Sequence, residues 1–191
     1  MTEPQDFLKK LVKILENVEI SYMLSGSIAS SFHGKPRATN DVDIIIAPTA
    51  EQIQALAKSL GKDYYINLQT AQEALKQNSM FNVIDIQSGY KADFIIRKKR
   101  PFSHQEFERR RSVNMMGLSI CILSPEDVIL SKLEWSKDSD SPQQFRDALS
   151  VAVVQWEKLD RGYLHKWAVE LGITNQLEEL FNQAKSLKNS Q

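Results

Sequence analysis

Residues 22–47 read YMLSGSIASSFHGKPRATNDVDIIIA. The last seven, DVDIIIA at 41–47, are a β-branched run that predicts a strand. Residues two apart on a strand share a face, with Cα atoms about 6.5 Å apart. Asp41 and Asp43 therefore point the same way. Two carboxylates cannot both enter an apolar core, because burying even one unpaired charge is very costly. They need water or a cation, and a pair of Mg²⁺ ions about 3.5–4 Å apart is one arrangement that uses them. A strand start that simply faces water satisfies the same pattern. Upstream, 21–24 predicts a short strand broken at Gly26-Ser27, and 28–33 predicts a short helix ended by Gly34-Lys35-Pro36. A glycine at such a break lets the backbone approach a ligand. The first N–H groups of the next helix then point at an anion, and Ser27 adds a hydroxyl. Arg37, between the two motifs, is either a phosphate contact or a surface charge.

Working outward, 5–17 has the helical spacing of an amphipathic helix, with Phe7, Leu8, Leu11, Val12, Leu15 and Val18 on one face. Thr49 predicts a cap for a helix over 51–60. A short helix is expected over 70–77. Strands are expected at 81–86 and 92–97, joined around Ser88-Gly89, then a helix near 102–111. A second hairpin, 113–115 with 119–123, turns at Gly117. Ser124-Pro125 predicts a cap and first helical position, with a helix to about 135. A polar loop over 137–142 and helices near 143–155, 161–171 and 175–187 complete the chain. The fold class is mixed α/β, or α+β: a small mixed sheet flanked by helices, with a catalytic core over 1–123 and a C-terminal helical cap over 124–191.

The bulk properties exclude little. The 191 residues are 42% hydrophobic and 25% charged, ordinary for a globular protein with a real core. Lys+Arg and Asp+Glu number 24 each, so net charge offers no support for a nucleic-acid or anionic-membrane partner. The lone Cys121, in an apolar run, is expected in the core, which fits a reducing cytoplasm. The N-terminal stretch mixes acids with bases and reads as a helix rather than a signal peptide. No stretch approaches a membrane span, so no membrane partner is expected.

The segment 22–47 resembles the polymerase-β-type nucleotidyltransferase superfamily, whose pattern is Gly-Ser, a spacer, then Asp-x-Asp in a hydrophobic strand. Here residues 28–39 separate Ser27 from Asn40, and Asp41 follows. The resemblance implies a nucleotidyltransferase fold in which Asp41 and Asp43 hold Mg²⁺ (or Mn²⁺) ions bridging a nucleoside triphosphate. It also implies a third carboxylate on a neighbouring strand that shares the metal and positions or deprotonates the attacking hydroxyl. Asp93, in KADFII, fits that place. Asp85, in VIDI, competes for it. Period-two alternation puts Asp85 with Phe81 and Val83, and Asp93 with Ile95 and Arg97, so alternation alone leaves the choice open. Arg97 gives the Asp93 face a solvent-accessible end, and the resemblance also favours Asp93.

Residues 123–129, LSPEDVI, followed by Lys132 and then Arg146-Asp147, resemble the AbiEii-type toxin nucleotidyltransferases and related bacterial proteins. That implies that a helical lysine and a downstream aspartate, matched here by Lys132 and Asp147, join the site. Lysine suits a phosphate contact as a compact point charge. The acceptor class (RNA, a protein side chain or a small molecule) stays open, as does a homodimeric state. A non-catalytic nucleotide sensor or toxin–antitoxin component that retains the fold is the alternative. The basic runs 97–100 and 109–111 read as solvated strand and helix ends, with RNA contact as the other option. His33, His104 and His165 lack metal-ligand spacing. Trp135, Trp156 and Trp167 are expected to build the core of the helical third.

Overall fold

The computed structural model describes residues 4–39, 41–139 and 141–189. In chain order its elements are α1 (Pro4–Asn17), β1 (Tyr22–Leu24), α2 (Gly26–His33), β2 (Asp41–Ile46), α3 (Ala50–Leu60), β3 (Tyr64–Ile66), α4 (Leu68–Gln77), β4 (Met80–Asp85), β5 (Lys91–Ile96), α5 (Pro101–Glu108), β6 (Arg111–Met115), β7 (Leu118–Ile122), α6 (Pro125–Ser139), α7 (Pro142–Gln155), α8 (Arg161–Glu170) and α9 (Thr174–Asn189). They fall into two compact units. One comprises residues 1–25 with 39–122, and the other 26–38 with 123–191. The segment carrying α2 groups with the C-terminal helices.

The first unit holds a seven-stranded mixed sheet in the order β3-β4-β5-β2-β1-β7-β6. β2 runs antiparallel to β1 and parallel to β5, and β5 pairs antiparallel with β4. The pleat divides the sheet by face. Val42, Ile44 and Ile46 of β2, Ala92, Phe94 and Ile96 of β5, and Phe81 and Val83 of β4 are all buried. The Phe81 and Phe94 rings stack, centroids 5.4 Å apart. The apolar faces of α1 and α3 add Phe7, Leu11, Leu15, Ile53 and Leu56 to this core. Alternate residues on the other face (Asp41, Asp43, Ile45, Lys91, Asp93, Ile95, Asn82) are exposed or half-buried.

Local chemistry explains the boundaries. Thr49 and Gln52 form a reciprocal capping box on α3. The β6–β7 hairpin turns through Met116 and Gly117, both at positive φ, the geometry that matches the strands' twist. Several elements differ from expectation: α2 opens at Gly26, and α5 ends at Glu108, so that Arg111 begins β6. β3 is only three residues long, too short for alternation to register. The loop expected over 137–142 is largely helix, because α6 continues to Ser139. Ser139 Oγ donates back to the Trp135 carbonyl, and Lys137 Nζ donates to the Gly172 carbonyl. Asp140, in that expected loop, lies outside the described residues, as do Asn40 of the spacer and Ser190 and Gln191 of the tail.

In the second unit, Val128, Ile129, Leu133, Val151, Leu164 and Leu177 are among the buried apolar residues. Trp167 joins them at 7% exposure, but Trp135 is 60% exposed and builds no core. The LSPED run is a structural joint. Ser124 accepts from the Asp127 N–H, Asp127 accepts from the Tyr163 hydroxyl, and Glu126 accepts from the Asp160 N–H at the cap of α8. All three carry buried side chains. Gly34 sits where α2 meets α7. A Cβ there would lie 2.9 Å from the Ser30 carbonyl oxygen and 3.0 Å from the Val151 nitrogen. Backbone cannot swing aside as a flexible side chain can. Gly34→Ala is expected to cost about 1–3 kcal/mol, the range for overpacking, read as a lowered midpoint in urea unfolding. An unchanged midpoint would show that the two helices part at no cost.

Candidate active site

The carboxylate face of the first unit follows from strand register. β2 and β5 are parallel, with Asp43 opposite Asp93 and Asp41 opposite Lys91. Neighbouring strands lie about 4.8 Å apart, so these four residues form a two-by-two patch on one face. β4 adds Asn82, which pairs with Asp93 in register. Asn82 Nδ2 donates to Asp93 Oδ1. Lys91 Nζ lies 3.1 Å from Asp93 Oδ1 and 3.3 Å from Oδ2. Ser25, at the end of β1, donates its N–H to the Asp43 carbonyl at 2.9 Å. Gly26 is the next residue in the chain.

Asp85 occupies the opposite face. It is 4% exposed, and its Oδ1 accepts the Gln87 and Ser88 N–H groups at 3.0 and 2.8 Å. It shapes the turn into β5. The alternation that left Asp85 and Asp93 undecided is resolved by pairing, which sets Asp93 beside Asp43.

The chemistry of the donor set decides whether this face suits a metal ion. Among the described residues no three His, Cys, Asp or Glu side chains form a closed cage. Mg²⁺ seldom asks for one. It keeps several waters and takes one or two carboxylates plus substrate phosphates. Asp41 and Asp43, hard oxygen donors on one exposed strand face, fit that mode.

The second unit assembles the other expected residues. Gly26 opens α2 at φ +55°, a left-handed conformation that glycine adopts without steric cost. Ser27 is therefore in the first turn of the helix, not in a break before it. Arg37 Nη2 donates to Ser27 Oγ and to Asp147 Oδ2, the latter at 3.1 Å, while Nε donates to Oδ1 at 3.2 Å. Lys132 Nζ lies 3.1 Å from Asp147 Oδ2. Gln143, one helical turn before Asp147 on α7, donates to Oδ1 at 2.7 Å. Four residues that the sequence set far apart (Ser27, Arg37, Lys132 and Asp147) thus form one network. Burial works to raise the Asp147 carboxyl pKa. Hydrogen bonds from Arg37 and Gln143 and the charge of Lys132 outweigh it and hold the carboxyl below its ordinary value.

Removing Asp147 would leave two cations without their anion. The Arg37 side chain is 37% exposed and can turn to water, but Lys132 at 10% cannot. Asp147→Ala is expected to cost about 3–5 kcal/mol, as for breaking a buried pair. Because the folded pKa is depressed, the carboxyl's contribution is complete above the unfolded value of about 3.9. It is lost as pH falls through the lower folded value. Thermal unfolding of wild type and Asp147→Ala should differ most near neutrality and converge in acid. A gap independent of pH down to 3 would contradict the ionised pairing.

Lys91, Asn82 and Gln143 were missed in the sequence. Lys91 had a signal, since it stands two residues before Asp93 and shares its face. Gln143 had one too, at helical spacing from Asp147. Asn82 needed the β4–β5 register. The basic runs are partly tied down. Arg97 and Arg110 lie 5.2 and 4.5 Å from the Phe107 ring centroid, and Arg100 lies 5.4 Å from that of Phe102. His33 is buried and donates Nε2–H to the Leu123 carbonyl. Cys121 is half-buried rather than core. A concavity of about 390 Å³ in the first unit, lined by Glu16, Tyr22, Arg110 and Cys121 among others, contains none of the three carboxylates. Among the described residues no helix is long and apolar enough to cross a membrane.

The sequence matches, over residues 4–188, the family described as "Nucleotidyltransferase of unknown function (DUF6036)". No curated protein matches it. The fold is similar to that of the antibiotic-resistance factor ANT(2'')-Ia, with a TM-score of 0.57 at 11% identity over 100% of both chains. That protein has also been solved with adenylyl-2''-tobramycin. An antigenic nucleotidyltransferase-like protein from Paracoccidioides brasiliensis aligns with a TM-score of 0.55 at 18% identity, over 78% of this chain and 75% of that one. The lincomycin-bound lincosamide antibiotic adenylyltransferase LnuA gives 0.52 at 13% identity, over 75% and 93%.

Proposed function

The chain belongs to this nucleotidyltransferase family of unknown function, and on that premise we propose that it moves a nucleoside monophosphate from a nucleoside triphosphate to a hydroxyl acceptor, releasing pyrophosphate, with Mg²⁺ or Mn²⁺ at the Asp41–Asp43 pair. The observation that carries the reading is the register that sets Asp93 beside Asp43, on the face that also bears Asp41. A divalent ion held there would neutralise charge on the triphosphate and on the leaving pyrophosphate. Asp93 positions the acceptor hydroxyl and takes its proton as the oxygen attacks the α-phosphorus. Within the second unit, Gly26 and Ser27, opening α2, offer backbone N–H groups and a hydroxyl of the kind that suits an anion. Arg37 and Lys132 supply positive charge, and Asp147 anchors both. The Asp147 set carries one net positive charge, suited to an anionic ligand.

Two of the structural neighbours are described with antibiotics, one with an adenylylated product. A hydroxylated small molecule therefore leads the acceptor classes. The test is incubation of the protein with α-³²P-labelled nucleoside triphosphates, Mg²⁺ and a cell lysate fractionated by size. Label moving to a non-nucleotide product, with stoichiometric pyrophosphate, supports the reading. Tight Mg-triphosphate binding with no product in any fraction would favour the sensor or toxin–antitoxin component instead.

A further inference from the structure

Of the two described polar residues on the carboxylate patch that the proposed chemistry leaves without a task, Asn82 and Lys91, only Lys91 is charged. It stands opposite Asp41 in register and two residues from Asp93. Its ammonium is within 3.3 Å of both Asp93 oxygens, and Asn82 donates to one of them as well. The Asp93 side chain is only 15% exposed, whereas Lys91 is 43% exposed. Asp93 thus spends most, but not all, of its lone pairs on protein donors. Among the described residues no side chain clamps Asp41, at the exposed start of β2, in this way.

A metal ion that took Asp93 as a ligand would have to displace the ammonium from at least one oxygen and tolerate a positive charge nearby. The charges point the same way: among the described residues, Asp41, Asp43, Asp93 and Lys91 together carry two negative charges, the complement of one divalent ion. We propose that Lys91 is a built-in cation of this site. It withholds Asp93 from the metal, so that one divalent ion, rather than two, is held by Asp41 and Asp43. Lys91 is a positioning residue, acting through Asp93, which it keeps aimed beside Asp43 and available to a hydroxyl. The inference rests on the Asp41–Asp43 metal reading above.

The test counts metal rather than turnover. Mn²⁺ is titrated into the full chain saturated with the non-hydrolysable α,β-methylene-ATP, and free Mn²⁺ is followed by electron paramagnetic resonance. Wild type is expected to hold one Mn²⁺ per chain. Lys91→Met removes the ammonium and should reveal a second Mn²⁺, whereas Lys91→Arg keeps the charge and should stay at one. The side chain is exposed enough that neither substitution threatens the fold, which circular dichroism verifies. Two ions in wild type, or one in Lys91→Met, overturns the role of Lys91 and leaves the Asp41–Asp43 site standing. No Mn²⁺ in wild type sinks that site and the inference together.

Discussion

Asp41→Asn combined with Asp43→Asn is expected to abolish Mg²⁺-dependent triphosphate binding while leaving the unfolding midpoint nearly unchanged. The two side chains lie on the less buried face of β2, so no core contact is lost. The Asp43 backbone, which accepts from Ser25 N–H, is unaffected by the change of side chain. What disappears is two anionic oxygen donors. A neutral amide offers a divalent ion far less than a carboxylate does, and Mg²⁺ relies on one or two carboxylates besides its phosphates. Isothermal titration with Mg-ATP measures the effect, with urea unfolding as the control. Undiminished affinity in the double variant would show that the triphosphate is held elsewhere.

The second large effect separates two aspartates on neighbouring strands. Asp93→Asn is expected to lower turnover by about two to four orders of magnitude, the range of a general base. Nucleotide binding should persist, because Asp41 and Asp43 remain. Asp85→Asn should leave turnover unchanged. Its amide oxygen can still accept from Gln87 and Ser88, so stability should fall by no more than about 1 kcal/mol, a typical hydrogen-bond contribution. The measurement is single-turnover transfer of labelled nucleotide, once an acceptor is in hand, alongside binding of the Mg-triphosphate. If Asp85→Asn stopped transfer and Asp93→Asn did not, the reacting face of the sheet would be the opposite one.

These two aspartates also mark where the sequence stops being informative. Period-two alternation decided from residues alone that Asp41 and Asp43 share a face, because the pleat is a local property of one strand. Helical spacing did the same for α1, and capping chemistry for α3. Both hairpins were legible in Ser88-Gly89 and Gly117, because a turn is defined by a few adjacent residues. The three-residue β3 was not legible, nor was the polar end of α6. A periodic signal needs length and contrast, and those segments have one or neither.

What only tertiary structure decided was every relation between strands and between helices. Asp85 and Asp93 each sit in an apolar run, and locally only Arg97, at the end of the Asp93 face, distinguishes them. Register decides: β2 and β5 align so that Asp93 meets Asp43, and the antiparallel return of β4 turns Asp85 to the core. Lys132 and Asp147 came from a resemblance, but their pairing with Arg37 and Ser27 joins α2, α6 and α7 across 110 residues of chain. LSPED read as a family signature and is a buried joint between α6 and α8. By itself the sequence determined the fold class, most of the strands and helices that bear the candidate residues, and the aspartates on offer. Side-chain direction along one strand or helix follows from backbone geometry alone. Which partner that side chain meets depends on how distant segments align, and that is settled only when the burial of many apolar faces at once selects one register.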